Sequence, residues 1–333
     1  MNTYRVLHKQ TFVSGQYSIV PIRMEDRWLI MQWRNEQIYH LRQQEPLTED
    51  AQDAYFNNVI SALYDQRMPS QVLFSFLENG SFIGYGGLVH IDHEKLTAEI
   101  SFIMDTALEK EFFVHHWSTF LSLIEKVAFE ELGLHTIFTY AYNLRPRLYE
   151  ALEACGFKLE SKLPAHVEID GVMTDVLIHS KRASYYLRSA TAADVDITFK
   201  WASDKEIRKY SFSQQKIEYS EHERWFTNKI NDASCEYYIL CSIDKCIGSI
   251  RFEMNEKNEA MISYLIDSGF HGKGFGTAIL KLGIQMIRWK KPHINSVYGM
   301  VKSENPASVR IFEKLGFTAS EADSGTLRFD KTL

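Results

Sequence analysis

Short apolar runs separated by turn residues form two similar strand–turn–strand patterns, one in each half of the chain. The first reads FSFLENGSFIGYGGLVHI, and its turn falls at Asn79 and Gly80. The second reads YYILCSIDKCIGSIRFEM, with Asp244 and Lys245 at the turn. Because turn residues between apolar runs are typical of β-hairpins, each pattern predicts a pair of antiparallel strands.

Each hairpin is followed by a third predicted strand and then by a helix. The octapeptides AEISFIMD (98–105) and AMISYLID (260–267) are rich in β-branched and aromatic residues, which favour strands. Apolar residues then recur at helical spacing: Trp117, Phe120, Leu121, Ile124, Val127 and Ala128 in the first half, and Ile279, Leu280, Leu282, Met286 and Ile287 in the second. A further strand (TIFTYAY or SVYGMV) and a further helix ending in Gly-Phe complete each half. The pattern predicts an α+β fold, with a mixed, mostly antiparallel sheet flanked by helices in each half.

The two halves are related by a weak internal duplication. The octapeptides match at an offset of 162, and three more blocks recur in the same order at offsets between 160 and 168. These blocks are FIGYGGL with CIGSIRF, ACGFKL with KLGFTA, and QWRNE with KWASDKE. We therefore predict two homologous domains, 1–180 and 181–333.

Composition narrows the class of protein. The chain has 333 residues, 45% of them hydrophobic and 24% charged, with a net charge of -6, so two domains are expected and nucleic acid is not an expected partner. The four cysteines show no zinc-binding spacing, and we expect reduced thiols and no metal. The N-terminal residues lack the apolar core of a signal peptide, and no apolar run is long enough to cross a bilayer. We expect a cytoplasmic protein without a membrane partner.

The most distinctive segment is GFHGKGFGTAIL, a glycine-rich loop between a predicted strand and a predicted helix. A helix N-terminus offers unpaired N–H groups to anions, and glycines let an anion approach closely. Gly272, Gly274 and Gly276, with the charge of Lys273, therefore predict a cradle for a pyrophosphate. A P-loop needs a Ser or Thr after its Gly-Lys, and Thr277 stands where a dinucleotide fingerprint needs its last glycine, so both fit poorly.

HGKGFG resembles the acyl-CoA loop of the GNAT acyltransferase superfamily, with His271 in the first place of the motif. VKSENPASVRIFEKLGF (301–317) is similar to a later motif of the same family. The resemblance covers nearly all of residues 185–320. It implies that acyl-CoA is the co-substrate and that its pantetheine pairs with the strand near Leu265 and Ile266. The residues it implies for binding the coenzyme are Leu265, Ile266, His271, Gly272, Lys273, Gly274, Phe275, Gly276, Thr277, Asn305, Ser308 and Phe312.

The first half has the same scaffold without the loop. After FIMD comes TALEKEFFVHHW, in which Glu109 and Glu111 would repel a pyrophosphate and two phenylalanines would block its approach. The later motif is also altered, since Asn143 to Phe157 spans 14 residues where Asn305 to Phe317 spans 12. We therefore expect a degenerate first domain that does not bind coenzyme A, and that stabilises the second and walls off the acceptor pocket.

The implied reaction is direct attack of a primary amine on a thioester, with the oxyanion held by a backbone N–H near Tyr264–Ile266. Many family members use a tyrosine as the acid where this chain has Phe312. Either water protonates the thiolate, or another side chain does so. Tyr264, Tyr298 and Glu253 are the alternatives, and we include Tyr264, Glu253 and Asn305 among the catalytic candidates.

The opening of the second domain, YLRSATAADVDITFKWASDKEIRKYSF, resembles GNAT members that acylate nucleotide-linked amino deoxysugars. These include the pseudaminic acid pathway type and the tandem dTDP-3-amino-3,6-dideoxygalactose N-acyltransferase type, whose donor is acetyl-CoA or 3-hydroxybutyryl-CoA. Such an acceptor suits a cleft with aromatic and cationic walls, and the candidates are Trp33, Arg34, Trp201, Arg208 and Arg251. A peptide or protein N-terminal acetyltransferase and a non-catalytic coenzyme A-binding protein remain alternatives, and the sequence leaves open a monomer or a homodimer.

Overall fold

The computed structural model describes residues 2–333, and the chain divides into two compact units, one ending at Ala183 and the other running from Ser184 to Leu333. The boundary expected after residue 180 falls in the strand that closes the first unit. Each unit has its own sheet and its own apolar core.

The first unit contains eight strands in one sheet. The strands are β1 (Phe12–Ser14), β2 (Tyr17–Pro21), β3 (Val72–Glu78), β4 (Ser81–Asp92), β5 (Thr97–Met104), β6 (Thr136–Tyr142), β7 (Lys158–Ile169) and β8 (Val172–Arg182). The helices are α1 (Arg27–Glu36), α2 (Glu49–Tyr55), α3 (Ser61–Leu63), α4 (Thr106–Glu125) and α5 (Pro146–Ala154). Single 3-10 turns occur at Met24–Asp26 and Ile38–His40, and π-helical turns at Phe56–Ile60 and Lys126–Glu131.

The second unit contains seven strands in one sheet. The strands are β9 (Tyr185–Ser189), β10 (Cys235–Ser242), β11 (Cys246–Met254), β12 (Glu259–Ile266), β13 (Ser296–Lys302), β14 (Thr318–Asp323) and β15 (Thr326–Thr332). The helices are α6 (Val195–Ser203), α7 (Lys205–Arg208), α8 (Tyr219–Asn231), α9 (Phe275–Lys290) and α10 (Pro306–Lys314). Single 3-10 turns occur at Ala192–Asp194 and Ser268–Phe270.

The two sheets repeat one topology. The order β2-β3-β4-β5-β6-β8-β7 in the first unit matches β9-β10-β11-β12-β13-β15-β14 in the second, and β1 is an additional edge strand. All neighbouring strands are antiparallel except β5 with β6 and β12 with β13, which are parallel. A parallel pair needs a crossover connection, and α4 and α9 supply it. The α+β fold with two mixed sheets flanked by helices is confirmed.

The predicted hairpins form where the turn residues stand. Asn79 and Gly80 take positive φ values of 48° and 85°, which Asn and Gly adopt more readily than other residues. In the second unit, the Ser242 N–H donates to the Lys245 carbonyl at 2.8 Å and closes the turn between β10 and β11. The octapeptide strands and the helices that follow them also form as the sequence predicts.

Aromatic side chains fill the space between sheet and helices in each unit. In the first, Phe102 on β5 stacks on Phe120 of α4 at 4.1 Å. In the second, Phe312 on α10 stacks on Phe329 of β15 at 5.1 Å and is only 1% exposed. These rings fix the helices onto the sheet next to the parallel pair, where the cavities described below lie. The four cysteines are free thiols, as expected.

Candidate active site

The parallel strands of the second unit part at their carboxyl ends. Pairing of β12 with β13 runs from Glu259↔Ser296 to Ile262↔Gly299 and goes no further. The last residues of both strands therefore line opposite walls of a gap, and a cavity of about 360 Å³ lies there. Its walls include Ser263, Tyr264, Leu265, Met300, Val301, Lys302, Asn305, Ser308 and Phe312. Such an opening at the carboxyl ends of parallel strands leaves backbone groups of the strand edges free to contact a ligand.

The glycine loop lies between the end of β12 and the start of α9. Gly272 and Gly274 have φ values of 73° and 84°, and a Cβ added at either would meet nothing within 4 Å. Gly274 is the N-cap residue of α9 and offers no side chain to its amides. Within residues 2–333, no hydrogen bond satisfies the N–H groups of Gly274, Phe275 and Gly276. Unpaired amides, open space and a helix N-terminus are what an anionic diphosphate requires, so the loop fits the coenzyme.

Gly276 differs from the two preceding glycines, because a neighbouring side chain lies close to it. A Cβ at this position would come 2.6 Å from Cδ1 of Ile311 on α10. The residue is therefore a packing contact between α9 and α10, whereas the two preceding glycines permit left-handed backbone. Three regularly spaced glycines thus meet two separate physical demands.

Side chains around the loop hold it to the strand. Nε2 of His271 lies 2.9 Å from the Ile266 carbonyl oxygen, and Nζ of Lys273 donates to the Gly269 carbonyl at 3.1 Å. The Asp267 carboxylate accepts from Gly269 N at 2.9 Å and from Nε1 of Trp201 at 2.8 Å. Trp201 therefore positions the start of the loop from the neighbouring helix α6.

Two further residues of the predicted coenzyme site begin α9. The Phe275 ring lies edge-on to Phe270 and Tyr185 at 5.8 Å from each ring centre. The Thr277 N–H donates to the Gly274 carbonyl at 3.1 Å, which closes the first turn of the helix. Both contacts shape the loop.

Tyr264 and Ser308 bring a proton donor into the cavity. The phenol oxygen of Tyr264 on β12 lies 3.0 Å from Oγ of Ser308 on α10. Burial raises the pKa of the Tyr264 phenol, against an opposing contribution from the Ser308 hydrogen bond. The phenol therefore stays protonated at neutral pH and has a proton to donate. Asn305 fixes the same helix, since its side chain accepts from the Ser308 N–H at 3.1 Å.

Phe312 is a packing residue where related proteins are expected to have a tyrosine. Its ring lies over β13, where a Cβ on Gly299 would come 2.4 Å from Cζ of Phe312. It also stacks on Phe329 and contacts Phe317 edge-on at 4.9 Å. The ring contributes an apolar wall to the cavity and no proton.

Glu253 lies at the end of β11 and does not line the cavity. Its carboxylate accepts hydrogen bonds from Lys229 and Arg251. Burial raises the pKa of Glu253, but these two cations lower it further, and the net shift is downward. The carboxylate is thus held ionised and engaged, which makes it a weak proton acceptor.

Cationic and aromatic side chains form part of the cavity wall. Arg208, Arg251 and Lys302 line it together with Tyr210, Phe212, Trp225 and Tyr237, and none of its lining residues is an Asp or Glu. Arg208 donates to the carbonyls of Ala202, Ser213 and Gln215, and within residues 2–333 no carboxylate pairs with it. Arg251 lies over the Trp225 ring at 4.8 Å.

The two tryptophans suggested for acceptor binding are packing residues. Trp33 is 3% exposed and stacks on Phe82 at 4.9 Å, and Trp201 is 1% exposed. Neither lines the cavity of about 360 Å³ in the second unit or the cavity of about 530 Å³ in the first. Their rings hold the first helix of each unit to the sheet, and contact of either ring with an acceptor stays a prediction. Arg34 lines a cavity of the first unit instead.

The same strand opening occurs in the first unit, but the coenzyme side is filled. Pairing of β5 with β6 ends at Glu99↔Phe138. The helix α4 begins directly after Asp105, whose own carboxylate accepts from the Ala107 N–H at 2.9 Å. A helix and its capping carboxylate thus stand where the second unit has a glycine loop with unpaired amides.

The sequence alignment of the later motif is wrong in the first unit. Arg145, and not Asn143, is the N-cap residue of α5 and corresponds to Asn305, the N-cap residue of α10. From this residue to the closing Phe the two motifs have equal length. The Arg145 guanidinium packs over Phe113 and Trp117 at 5.2 and 5.8 Å and pairs with Glu109 at 3.2 Å. The later motif of the first unit therefore has an arginine at the N-cap position where the second unit has an asparagine.

Sequence reasoning missed several residues of the two cavities. Trp225, Lys302 and His222 line the cavity of the second unit. Lys302 lies within the segment 301–317 that resembles the later motif, which is a signal of its position. Trp225 and His222 lie on α8, and nothing in the sequence of that helix indicated that these two residues face a cavity.

Two general features concern residues 2–333 as a whole. None of the helices there combines the length and apolar character needed to cross a bilayer. His, Cys, Asp and Glu side chains in the same residues form no group of three or more that could hold a metal ion.

Comparison with known proteins identifies the family. Two family models described as acetyltransferase (GNAT) domain match the chain, one over residues 185–318 and one over residues 19–178. An uncharacterized N-acetyltransferase of Methanocaldococcus jannaschii is 23% identical over 199 residues, which cover 57% of this chain and 84% of the relative.

Solved structures show similar domains. Spermidine N-acetyltransferase from Vibrio cholerae, in complex with CoA and spermine, is 19% identical with a TM-score of 0.41 and covers 45% of this chain and 95% of its own. AAC(6')-Ib in complex with ribostamycin and coenzyme A is 16% identical with a TM-score of 0.41 and covers 45% of this chain and 94% of its own. The two domain matches together cover most of the sequence, and the two sheets share one topology. The chain therefore belongs to the GNAT acetyltransferase superfamily and is an N-acyltransferase built from two tandem GNAT domains.

Proposed function

We propose that the second unit transfers an acyl group from acyl-CoA to the primary amine of a small anionic acceptor, a nucleotide-linked amino deoxysugar. The observation that carries the acceptor class is the charge of the cavity. Its lining has no acidic residue and includes Arg208 and Lys302, which pair with no carboxylate within residues 2–333, and Arg251, which pairs with Glu253 outside the lining. A diphosphate attracts guanidinium groups, whereas a polyamine or a cationic peptide is attracted to carboxylates.

The coenzyme is proposed to bind at the glycine loop. The unpaired amides at the start of α9, with Lys273 beside them, favour a diphosphate at that point. The edge of β12 beyond Ile262 is free of β13 and offers backbone groups to an extended pantetheine arm. When bound, acyl-CoA supplies the thioester whose acyl group is transferred.

The chemistry uses the residues of the gap. The amine nitrogen forms a bond to the carbonyl carbon, and the carbon–sulfur bond breaks. We propose that Tyr264 donates a proton to the departing thiolate, because its phenol is protonated and lines the cavity. His222 lines the same cavity, but burial lowers its pKa and its Nε2 lies 3.1 Å from Oγ1 of Thr198, so the proton released by the amine passes to solvent water.

The aromatic residues of the cavity suit the nucleobase of such an acceptor. Tyr210, Phe212 and Trp225 line the same cavity as the cations, and a nucleobase stacks well on aromatic rings. Phe212 is 60% exposed, and Trp225 is 37% exposed, so both have free surface. A peptide or protein N-terminus is the second candidate acceptor, but no carboxylate in the lining would hold its ammonium group.

The test is a thiol-release screen with acetyl-CoA and 3-hydroxybutyryl-CoA as donors. The acceptors are dTDP-linked amino sugars, the same sugars without the nucleotide, spermidine and a peptide. We expect turnover with a nucleotide-linked sugar and much less with the free sugar. Turnover of the peptide or spermidine alone would overturn the acceptor class.

Two arginine variants give a matched comparison. Arg208→Gln removes a cavity charge and is expected to raise KM for the nucleotide sugar about tenfold, with kcat little changed. Arg224→Gln removes an exposed charge on α8 that does not line the cavity, and its KM is expected to stay unchanged. Equal effects of the two changes would argue against a role of Arg208 in acceptor binding.

A further inference from the structure

The first unit contains a cavity of its own that acyl transfer does not use. It has a volume of about 530 Å³ and lies where β5 and β6 part, beyond the pair Glu99↔Phe138. All its lining residues belong to the first unit, between Arg34 and Leu148. This volume lies within the range of small-molecule sites, roughly 300–1,000 Å³.

Arg34 gives the cavity an unbalanced positive charge. Its guanidinium donates to the phenol oxygen of Tyr85 at 2.8 Å and to Oε1 of Gln43 at 2.9 Å. Within residues 2–333, no carboxylate lies within ion-pair distance of Arg34, which is half-buried. A partly buried guanidinium without a counter-ion costs desolvation free energy that a bound anion would offset.

The other two arginines of the cavity differ from Arg34 in this respect. Arg42 pairs with Glu99, whose side chain is 8% exposed, and Arg145 pairs with Glu109. Their charges are balanced within the fold. Arg34 is thus the cavity arginine whose charge remains available to a ligand.

A second observation points to a ligand at the same place. Thr139 on β6 lines the cavity and is 3% exposed, and its Oγ1 has no hydrogen-bond partner within residues 2–333. Buried hydroxyl groups are nearly always paired, so an unpaired one at a cavity wall indicates a missing partner.

The cavity wall also carries polar side chains besides its arginines. Arg145 lines the cavity and packs over Phe113 and Trp117 at 5.2 and 5.8 Å. Apolar side chains form part of the remaining wall, and polar side chains also face the cavity, namely those of Gln43, Ser70, Gln71 and Ser101. A domain kept only for packing would gain stability from apolar side chains that close this space.

We propose that the first unit binds a small oxyanion-bearing molecule, a phosphate ester or a carboxylate, through the Arg34 guanidinium in this cavity. The planar fork of arginine suits both groups, because two N–H donors match two oxygens. The bound oxyanion balances the charge of Arg34, and the hydroxyl groups of a sugar-like ligand suit the polar wall that includes Thr139. The site consists of residues that take no part in acyl transfer.

The test is calorimetric titration of the full chain, carrying Gly274→Glu and Arg208→Gln to weaken anion binding in the second unit. The probes are inorganic phosphate, glucose 6-phosphate and citrate, which separate a free phosphate, a phosphate ester and a carboxylate. We expect one saturable site for at least one of them. No saturable binding of any probe would overturn the proposal.

Substitutions in the first unit test whether the anion binds at Arg34. Arg34→Gln is expected to weaken binding about tenfold or more, and Arg34→Lys, which keeps the charge and loses the fork, to weaken it less. Thr139→Val, which has nearly the same shape, is expected to weaken binding severalfold and keeps the proposal testable if Arg34→Gln fails to fold. Binding that is unchanged in both Arg34→Lys and Thr139→Val would place the site elsewhere. Because no acyl donor is present, the result is independent of the proposed transfer reaction.

Discussion

The phenol oxygen of Tyr264 on β12 and the hydroxyl oxygen of Ser308 on α10 lie 3.0 Å apart. The pair joins the strand that carries the open edge to the helix of the later motif. It supplies the cavity with a protonated phenol while Phe312 supplies only an apolar ring. This arrangement leads to the first prediction.

Tyr264→Phe is expected to lower kcat about 100-fold with little change in KM, because a positioned general acid typically contributes that much. Steady-state kinetics with a nucleotide amino sugar measures it. Ser308→Ala keeps the phenol and removes its partner, so a smaller loss is expected. A Tyr264→Phe enzyme with unaltered kcat would show that Tyr264 is not the acid that protonates the thiolate.

Glu253→Gln is expected to keep kcat within about threefold of the unaltered enzyme, since an ionised carboxylate held by two cations is a poor proton acceptor. The change removes the negative charge that pairs with Arg251, so KM for the acceptor is expected to change more than kcat. Kinetics over a range of pH checks this. A loss of kcat as large as that of Tyr264→Phe would give Glu253 a role in proton transfer.

Gly274→Glu is expected to abolish binding of coenzyme A, because it places a carboxylate at the N-terminus of α9 and strains a residue with φ of 84°. Titration calorimetry with coenzyme A measures it. The matched control is Gly171→Glu, which introduces the same side chain at φ of 79° in open space in the first unit. Normal binding by Gly274→Glu would show that the diphosphate lies elsewhere.

Arg145→Met is expected to destabilise the first unit by about 3–5 kcal/mol, because it leaves the largely buried Glu109 without its partner. Scanning calorimetry measures the change in the free energy of unfolding. Arg145→Met with Glu109→Leu removes both charges and is expected to recover much of the loss. A double variant as unstable as the single one would mean that the arginine acts by packing on Phe113 and Trp117.

The stability of the first unit is expected to fall as the pH decreases below about 6.5. Burial and the charge of Arg145 lower the pKa of His40 to about 3 from an ordinary value of 6.5. Between these values the unfolded chain binds a proton that the folded unit does not, so a lower pH favours unfolding. The contribution of neutral His40 to the stability of the first unit is fully present above pH 6.5 and is lost as the pH falls toward 3.

Thermal unfolding at several pH values between about 7.5 and 5 checks the effect of His40. His40→Gln is expected to show a smaller decrease in Tm than the unaltered protein, while His293→Gln, an exposed control in the second unit, is expected to show the same decrease. Some pH dependence remains in either case, because burial also lowers the pKa of His116 and His179. An identical decrease in His40→Gln would contradict the assignment.

The sequence by itself determined the elements and their repetition. Alternating apolar residues around Asn79-Gly80, the two octapeptides and the glycine loop are local patterns, and local backbone preferences and burial of one face act on them directly. The glycine loop is readable because positive φ and space at a helix N-terminus demand glycine whatever the surroundings.

Only the tertiary structure decided which side chains meet. Trp201 is a positioning residue because its indole reaches Asp267 at the loop, 66 positions away in sequence. Arg145 and not Asn143 occupies the N-cap position of α5, and its guanidinium instead pairs with Glu109 on α4. Whether an arginine is neutralised, as Arg42 is by Glu99, or left without a carboxylate, as Arg34 is, depends on distances across the sheet. These relationships come from packing and from long-range electrostatics, which no local pattern encodes.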